Sequence, residues 1–314
     1  MEKLFACFFC RGKIFLLCLV LLLTTTANAQ ELILYAIPSK KNISWDSPGS
    51  LLKGYLKNIL TKSKYKGYGH PMGHVIVELR DTGRSQVMGM VAVKVSELGS
   101  KAAWKGYGIG VMYTASQGLL REGEKNIEDL SLHYPGGDVA YLRFKISDSA
   151  FNRLWRYHCE YKEYGFDKIY NGLNRPREGK GAGCSAYGVS FIEVAGLLPE
   201  DILHQWQMKV NVPEKLIGGP HRNGKWVGLH RVLLTHRWAD TSREQFRPLA
   251  YYEPSLMYAW IVGNYQHEII PGIGKIEKEY RGKAKGLVID RSGQAPPDEP
   301  IWWLEPSESN IVSR

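Results

Sequence analysis

Two runs, HVIVELR (His74–Arg80) and SQVMGMVAVKV (Ser85–Val95), flank the turn residues Asp81-Thr82-Gly83. Both runs are rich in β-branched and apolar residues, which favour a pleated, half-buried strand. A glycine-containing turn between two such runs is typical of a β-hairpin. We therefore predict an antiparallel sheet built around this hairpin.

The chain around the hairpin predicts further strands and two helices. Gly108–Thr114 and Val139–Ile146 have the same strand-like composition. Apolar residues at a spacing of three to four predict a helix over Ala150–Glu163, with an N-cap within Ser147-Asp148-Ser149. A second helix is predicted from Cys184 to Leu197. Strands followed by helices indicate an α+β fold, an antiparallel sheet packed on helices.

The first 29 residues have the three parts of a secretory signal peptide. Basic Lys3, Arg11 and Lys13 precede an apolar run, Ile14–Leu23, and the small-residue sequence Ala27-Asn28-Ala29 follows it. A retained membrane anchor is the alternative, but this run is short against the roughly 20 residues that span a bilayer. We expect cleavage before Gln30 and a periplasmic or secreted protein.

The charge balance of the chain favours anionic partners. The formal net charge is +10, and about +8 remains once the signal peptide is removed. Cell-wall polymers and lipid headgroups both fit this charge, so association with the envelope surface is expected. No nucleic-acid-binding module is recognisable, so nucleic acid is not an expected partner. We also expect no cofactor and no metal, and the sequence does not indicate an oligomeric state.

Removal of the predicted signal peptide leaves only two cysteines whose role needs an explanation. Cys7, Cys10 and Cys18 belong to the signal peptide, which leaves Cys159 and Cys184. In an oxidising compartment these two could form a structural disulfide. Alternatively, one of them is a catalytic thiol.

The sequence around Cys184 is compatible with a nucleophile. The residue follows Gly181-Ala182-Gly183 and begins the second predicted helix, where the helix dipole lowers a thiol pKa. A thiolate nucleophile needs a proton acceptor. His74, which opens the first strand of the hairpin, is the candidate, and His70 in the preceding loop is its rival.

A catalytic histidine needs an acceptor that orients its ring. Gln86 lies on the partner strand just beyond the turn and is the first candidate. Glu78 shares a strand face with His74 by the period of two and is the alternative.

The order of these motifs resembles the circularly permuted branch of the NlpC-type papain-like cysteine hydrolases. This branch includes lecithin:retinol acyltransferase-like proteins and bacterial amidases and peptidases. His74 is similar to its strand histidine and Cys184-Ser185-Ala186-Tyr187 to its cysteine helix, while Gln86 falls near its third polar residue. Tyr170 resembles the tyrosine that assists the oxyanion site. Gly183, where the family often has a polar residue, and the long basic loop from Tyr170 to Cys184 depart from the pattern.

The resemblance implies a papain-like catalytic domain over residues 67–200. Residues 1–29 are then the signal peptide, residues 30–66 an N-terminal segment and residues 201–314 a C-terminal accessory region. The implied activity is a thiol hydrolase cleaving amide bonds in cell-wall peptides. A lipid acyl hydrolase or acyltransferase, and a non-catalytic envelope module with a Cys159–Cys184 disulfide, are the alternatives.

Overall fold

A computed structural model describes residues 30–62 and 70–303 of the chain. The predicted signal peptide lies outside the described residues. No helix in the described part of the chain combines the length and the apolar composition needed to cross a membrane.

The core of the fold is an eight-stranded sheet with the strand order β11-β12-β5-β1-β2-β3-β4-β6. Neighbouring strands are antiparallel, except that β12 runs parallel to β5. Two further pairs, β7–β8 and β9–β10, lie outside this sheet. The strands are β1 (Gln30–Ile37), β2 (His74–Arg80), β3 (Ser85–Ala92), β4 (Ser116–Glu122), β5 (Ala140–Ile146), β6 (Ile169–Tyr170), β7 (Gln207–Pro213), β8 (Phe246–Tyr252), β9 (Ile269–Ile270), β10 (Gly274–Lys275), β11 (Glu277–Arg281) and β12 (Ala284–Arg291).

Eight α-helices accompany the strands in the described residues, so the predicted α+β class is confirmed. The helices are α1 (Pro48–Lys62), α2 (Val95–Ala103), α3 (Glu124–His133), α4 (Asp148–Glu163), α5 (Cys184–Ala195), α6 (Glu200–Gln205), α7 (Leu229–Leu233) and α8 (Pro254–Asn264).

The predicted hairpin is formed by β2 and β3. The backbone N–H of Asp81 donates to the Arg84 carbonyl at 2.9 Å. The Asp81 carboxylate accepts bonds from the N–H groups of Gly83 and Arg84, both at 2.8 Å. The short polar side chain of Asp81 therefore closes the turn.

The strand predicted over Gly108–Thr114 is wrong, because Ile109–Tyr113 forms a 3₁₀-helix. Gly108 has a φ of +52°, a conformation that favours glycine. A Cβ built on Gly108 would lie 2.6 Å from the Leu216 carbonyl oxygen. A segment distant in sequence thus determines the turn here.

The two faces of the sheet are covered by different helices. A Cβ built on Gly188 of α5 would lie 2.5 Å from the Val75 Cγ1 atom, so α5 packs closely on the face of Val75. Helices α4 and α8 contribute to the same apolar core. Ile76 points to the other face, where it packs in one cluster with Leu130 of α3. Alternate residues of β2 therefore face different helices.

The region after residue 200, expected to be accessory, contributes to the main sheet. Strand β12 pairs with β5 from Lys285↔Ala140 to Arg291↔Ile146. A second apolar cluster, which includes Leu51 of α1, Val232 of α7 and Leu249 of β8, lies outside the main core. This cluster forms part of the cavity described below.

Candidate functional site

Cys184 is the first residue of α5, and the glycines before it make room for another part of the chain. The N–H of Gly183 donates to the Asn171 carbonyl at 2.7 Å. A Cβ built on Gly183 would lie 2.8 Å from the Cα atom of Gly172, and one built on Gly181 2.4 Å from the Ile169 carbonyl oxygen. Because these glycines have no side chain, β6 and the segment that follows it pack closely against the start of α5.

The Cys184 thiol is buried, with 4% of the residue exposed. Burial raises the pKa of the Cys184 thiol above its ordinary value. The N–H of Val75, the Tyr170 hydroxyl and the N–H groups at the start of α5 lower the pKa, but they do not outweigh burial. The thiol is therefore protonated at neutral pH, whereas its position at a helix start had predicted a thiolate.

We expect Cys184 to react with a small thiol reagent such as methyl methanethiosulfonate slowly at pH 7. The rate should rise with pH through an apparent pKa above that of an ordinary cysteine, because only the thiolate reacts. Tyr170→Phe should move this profile to higher pH, since it removes a group that lowers the pKa. Site-resolved mass spectrometry measures both rates, with Cys159 as the internal control. Fast labelling of Cys184 at pH 5 would contradict the buried, protonated thiol.

The structure brings Tyr170 next to Cys184. Tyr170 lies on the edge strand β6, and its hydroxyl group interacts with the Cys184 thiol. Burial raises the pKa of the Tyr170 hydroxyl well above its ordinary value, and Cys184 raises it further. Tyr170 is thus a neutral hydrogen-bond donor beside the sulfur.

His74 and Cys184 are close along the backbone, but their side chains are not paired. The Val75 N–H interacts with the thiol. The His74 ring, however, points to the α3 face, where its Nε2 atom lies 3.2 Å from a Cβ built on Gly89. Among the described residues no hydrogen bond joins this Nε2 atom to a partner.

The His74 ring is held on the α3 face by its rival, His70. The two rings are stacked with centroids 3.9 Å apart and planes 5° from parallel. The Nε2 atom of His70 is 2.9 Å from the Asp129 Oδ2 atom, which also accepts a bond from Arg121 at 2.9 Å. Burial raises the pKa of Asp129, but His70 and Arg121 outweigh it and hold the pKa below its ordinary value. The network fixes His70 and, through it, His74.

The side chains of His70, His74 and Asp129 place three ligand-type atoms within 4.8 Å of one another. Two observations disfavour a metal ion there. Imidazole lone pairs lie in the ring plane, and nearly parallel stacked rings do not direct them to a common point. Arg121 already provides a cation at the Asp129 oxygen. We therefore assign the cluster to positioning.

We expect His74 to make the folded protein sensitive to acid. Burial, followed by His70, Arg121 and His133, lowers the pKa of His74 well below its ordinary value. Below about pH 6.5 the unfolded chain then binds a proton that the folded chain does not, so the free energy of unfolding falls by up to about 1.4 kcal/mol per pH unit. Urea unfolding from pH 8 to 5 should show this slope, and His74→Gln should reduce it. His236→Gln, at an exposed histidine, should keep the parent slope. An unchanged slope in His74→Gln would contradict the expectation.

The structure does not bring Gln86 to His74. The Gln86 Nε2 atom donates to Glu122 at 2.8 Å, and Glu122 also contacts His158 at 3.1 Å and Lys162 at 2.7 Å. Gln86 lies two residues before Met88, which belongs to the core on the α5 face. Because strand side chains alternate, Gln86 and His74 face opposite sides of the sheet.

Glu78, the alternative, shares the face of His74 but has other partners. It accepts hydrogen bonds from the Tyr35 hydroxyl at 2.7 Å and from Ser85 at 3.0 Å. The group next to the His74 ring is His70, which the sequence had indicated only as a rival base. Asp129, which holds His70, carried no signal in the sequence.

The two cysteines do not form a disulfide. Cys159 is exposed on α4, Cys184 is buried on α5, and both are free. Hence the structure lacks the bridge on which the non-catalytic alternative depended.

A cavity of about 230 Å³ lies beside Tyr170. Its walls are mostly apolar, and they include residues of α1, α2, α7, the 3₁₀-helix Ile109–Tyr113 and the segment after β6. Three tyrosines, Tyr55, Tyr170 and Tyr251, belong to the lining. Cys184 is not in the lining, so Tyr170 is the connection between the cavity and the thiol. The aliphatic residues of the lining include Leu51, Leu52, Met72, Leu98, Ile109, Met112, Leu173 and Val232.

Comparison with known proteins leaves the family open. No family model, no curated protein and no solved structure matches this chain. The likeness to the permuted NlpC-type hydrolases therefore depends on the motifs and their order alone.

Proposed function

We propose that this chain is an exported thiol acyl hydrolase or acyltransferase with Cys184 as its nucleophile. One observation carries the proposal: a thiol at a helix start contacts Tyr170, and Tyr170 also lines an apolar cavity. Such a cavity suits an acyl chain, and the thiol is placed to receive the acyl group. We propose the circularly permuted papain-like fold together with this activity.

The proposed reaction has two steps. The Cys184 sulfur attacks the ester carbonyl carbon, an S–C bond forms, and the C–O bond to the leaving alcohol breaks. Water or a second alcohol then attacks the thioester, and the S–C bond breaks. The oxyanion of each step is stabilised by the Cys184 N–H and the Tyr170 hydroxyl, because both are donors beside the sulfur.

His74 remains the proposed proton acceptor. Its ring lies on the α3 face of the sheet and the thiol on the α5 face, so the start of β2 must rearrange before the ring reaches the sulfur. Its lowered pKa keeps the imidazole neutral, which is the form that accepts a proton. The next residue, Val75, contacts the thiol through its N–H, so His74 and Cys184 are already adjacent along the backbone. The proton taken from Cys184 then passes to the leaving alcohol.

The lining favours an acyl substrate over the cell-wall peptide expected from the sequence. A peptide carries an amide donor and acceptor at each residue, and these groups need partners when buried. The cavity walls expose far more apolar than polar surface. We therefore place the lipid acyl substrate first.

A carrier that binds an apolar ligand without reaction is the second candidate. It is favoured by the protonated thiol and by the His74 Nε2 atom, which has no hydrogen-bond partner among the described residues. The carrier and the enzyme use the same cavity, so only the chemistry at Cys184 separates them.

Reaction with p-nitrophenyl esters of 2 to 12 carbons tests the proposal. We expect p-nitrophenol release that increases with chain length, and a mass increase of one acyl group on Cys184. Leu52→Trp, which narrows the cavity, should reduce turnover of the long esters selectively. Leu132→Trp, at an exposed position on α3, is the matched control. Binding of the ester without release or adduct would favour the carrier.

A further inference from the structure

Large aromatic side chains are exposed next to the cavity. Trp104, directly after α2, is 83% exposed, and Trp226, shortly before α7, is 57% exposed. Trp226 packs against Gly106, two residues after Trp104, because a Cβ built on Gly106 would collide with the Trp226 ring. Exposed tryptophans are costly in water, so their proximity indicates a contact surface.

The helices that line the cavity carry this surface on their outer sides. Helix α2 has no buried residue, and its Leu98 and Ala102 line the cavity while Val95 is 40% exposed. On α1, Tyr55 lines the cavity and Leu56 is 40% exposed. We call the segments 48–62, 93–107 and 220–237, which contain α1, α2 and α7, the cavity rim.

The cavity rim is strongly basic. Its three segments contain ten lysine and arginine residues and a single acidic residue, Glu97. Most of the formal net charge of +10 is therefore concentrated here. Lys53, Lys94, Lys105 and Lys225 are exposed among the apolar side chains.

We infer that the cavity rim docks on an anionic lipid surface and so places the cavity at the source of its acyl chain. Tryptophan is favoured at the boundary between headgroups and acyl chains. Lysine and arginine next to it are attracted to anionic headgroups. The inference rests on the proposed function for its purpose, but the docking itself is independent of Cys184. Charge complementarity and continuity with the apolar cavity identify a lipid surface, whereas a soluble polyanion would not need the tryptophans.

Vesicle co-sedimentation of the mature chain tests the inference. We expect binding to vesicles of phosphatidylcholine with 30% phosphatidylglycerol, weak binding to phosphatidylcholine alone, and a loss as salt increases. Lys94→Glu with Lys105→Glu should weaken partitioning at least about 30-fold. Trp104→Ala should weaken it about 10-fold, since the indole no longer inserts.

Control positions lie on strands outside the cavity rim. Tyr280→Ala removes an aromatic residue that is 74% exposed on β11, and Lys275→Glu reverses an exposed charge on β10. Both should bind as the parent chain does. The Trp104→Ala variant should still hydrolyse a soluble short ester, and Cys184→Ala should still bind vesicles. These two readouts separate a failure of docking from a failure of the proposed activity.

Three results would overturn the inference. One is the absence of binding to anionic vesicles at low salt, and another is undiminished binding by the Trp104 and double-lysine variants. The third is complete competition by soluble polyglutamate with no dependence on Trp104, which would indicate a polyanion site.

Discussion

Cys184→Ala is expected to lower kcat/KM for the acyl esters at least about 10³-fold, because the acyl-enzyme can no longer form. The replacement is small, and the site is buried beside Tyr170. The variant should therefore fold and retain binding of the ester in the cavity. Initial rates of p-nitrophenol release and equilibrium binding of a non-hydrolysable ether analogue measure the two effects.

Cys159→Ala is the matched control for this result. Cys159 is free and exposed on α4, so its removal should leave the rate within about twofold of the parent, as for other surface substitutions. A Cys184→Ala variant with the parent rate would remove the thiol from the mechanism. A loss of both turnover and ligand binding would indicate a structural effect, and Cys184→Ser would then separate the two.

Arg177→Ala is expected to lower the free energy of unfolding by about 3–5 kcal/mol, because it breaks a buried charged network. Arg177 is 1% exposed. Its guanidinium donates to the carbonyls of Ile301 at 2.9 Å and Pro300 at 2.7 Å, and it pairs with Glu299 at 2.9 Å. It also lies 3.8 Å from the centroid of the Trp303 ring. Without it, two carbonyls lose their partner and the last described segment is released from the core.

Arg175→Ala tests the same surface without the buried network. Arg175 also lies over the Trp303 ring, at 4.9 Å, but its side chain is 54% exposed. We expect a change within about 0.5 kcal/mol for this variant. Urea unfolding monitored by tryptophan fluorescence measures both, since Trp302 packs against Tyr157 at 5.0 Å in the same region. Equal stabilities of the two variants would show that Arg177 has no special role.

Strand β12, near the end of the chain, belongs to the main sheet, although the sequence suggested a separate region beyond residue 200. Composition changes beyond Pro199, and a change of composition is ordinarily a sign of a separate region. The parallel pairing of β12 with β5 joins residues more than 140 positions apart. Such a pairing depends on which edge of the sheet is open, and no local pattern reports it.

The candidate site also combines features that the sequence predicted with features that it did not. The helix start at Cys184 and the strand start at His74 were predicted to the residue, because a glycine boundary and a change of periodicity are local signals. The direction of the thiol pKa shift was not predicted, since burial outweighs both the helix start and the Tyr170 hydroxyl. The orientation of His74 was not predicted either, because His70, Asp129 and Arg121 come from a loop, from α3 and from β4, which is not adjacent to β2.

Local chemistry was sufficient to predict the hairpin, a strand over Val139–Ile146, an N-cap within Ser147-Asp148-Ser149, the start of α5 and the basic balance of the chain. Period, turn residues and caps act within a few positions, so the chain displays them before it folds. Only the tertiary structure decided the partner of each polar side chain, the apolar cavity and its basic rim. These features depend on residues that are distant in sequence and come into contact across a sheet or between helices. How much water is lost at such contacts depends on the whole fold.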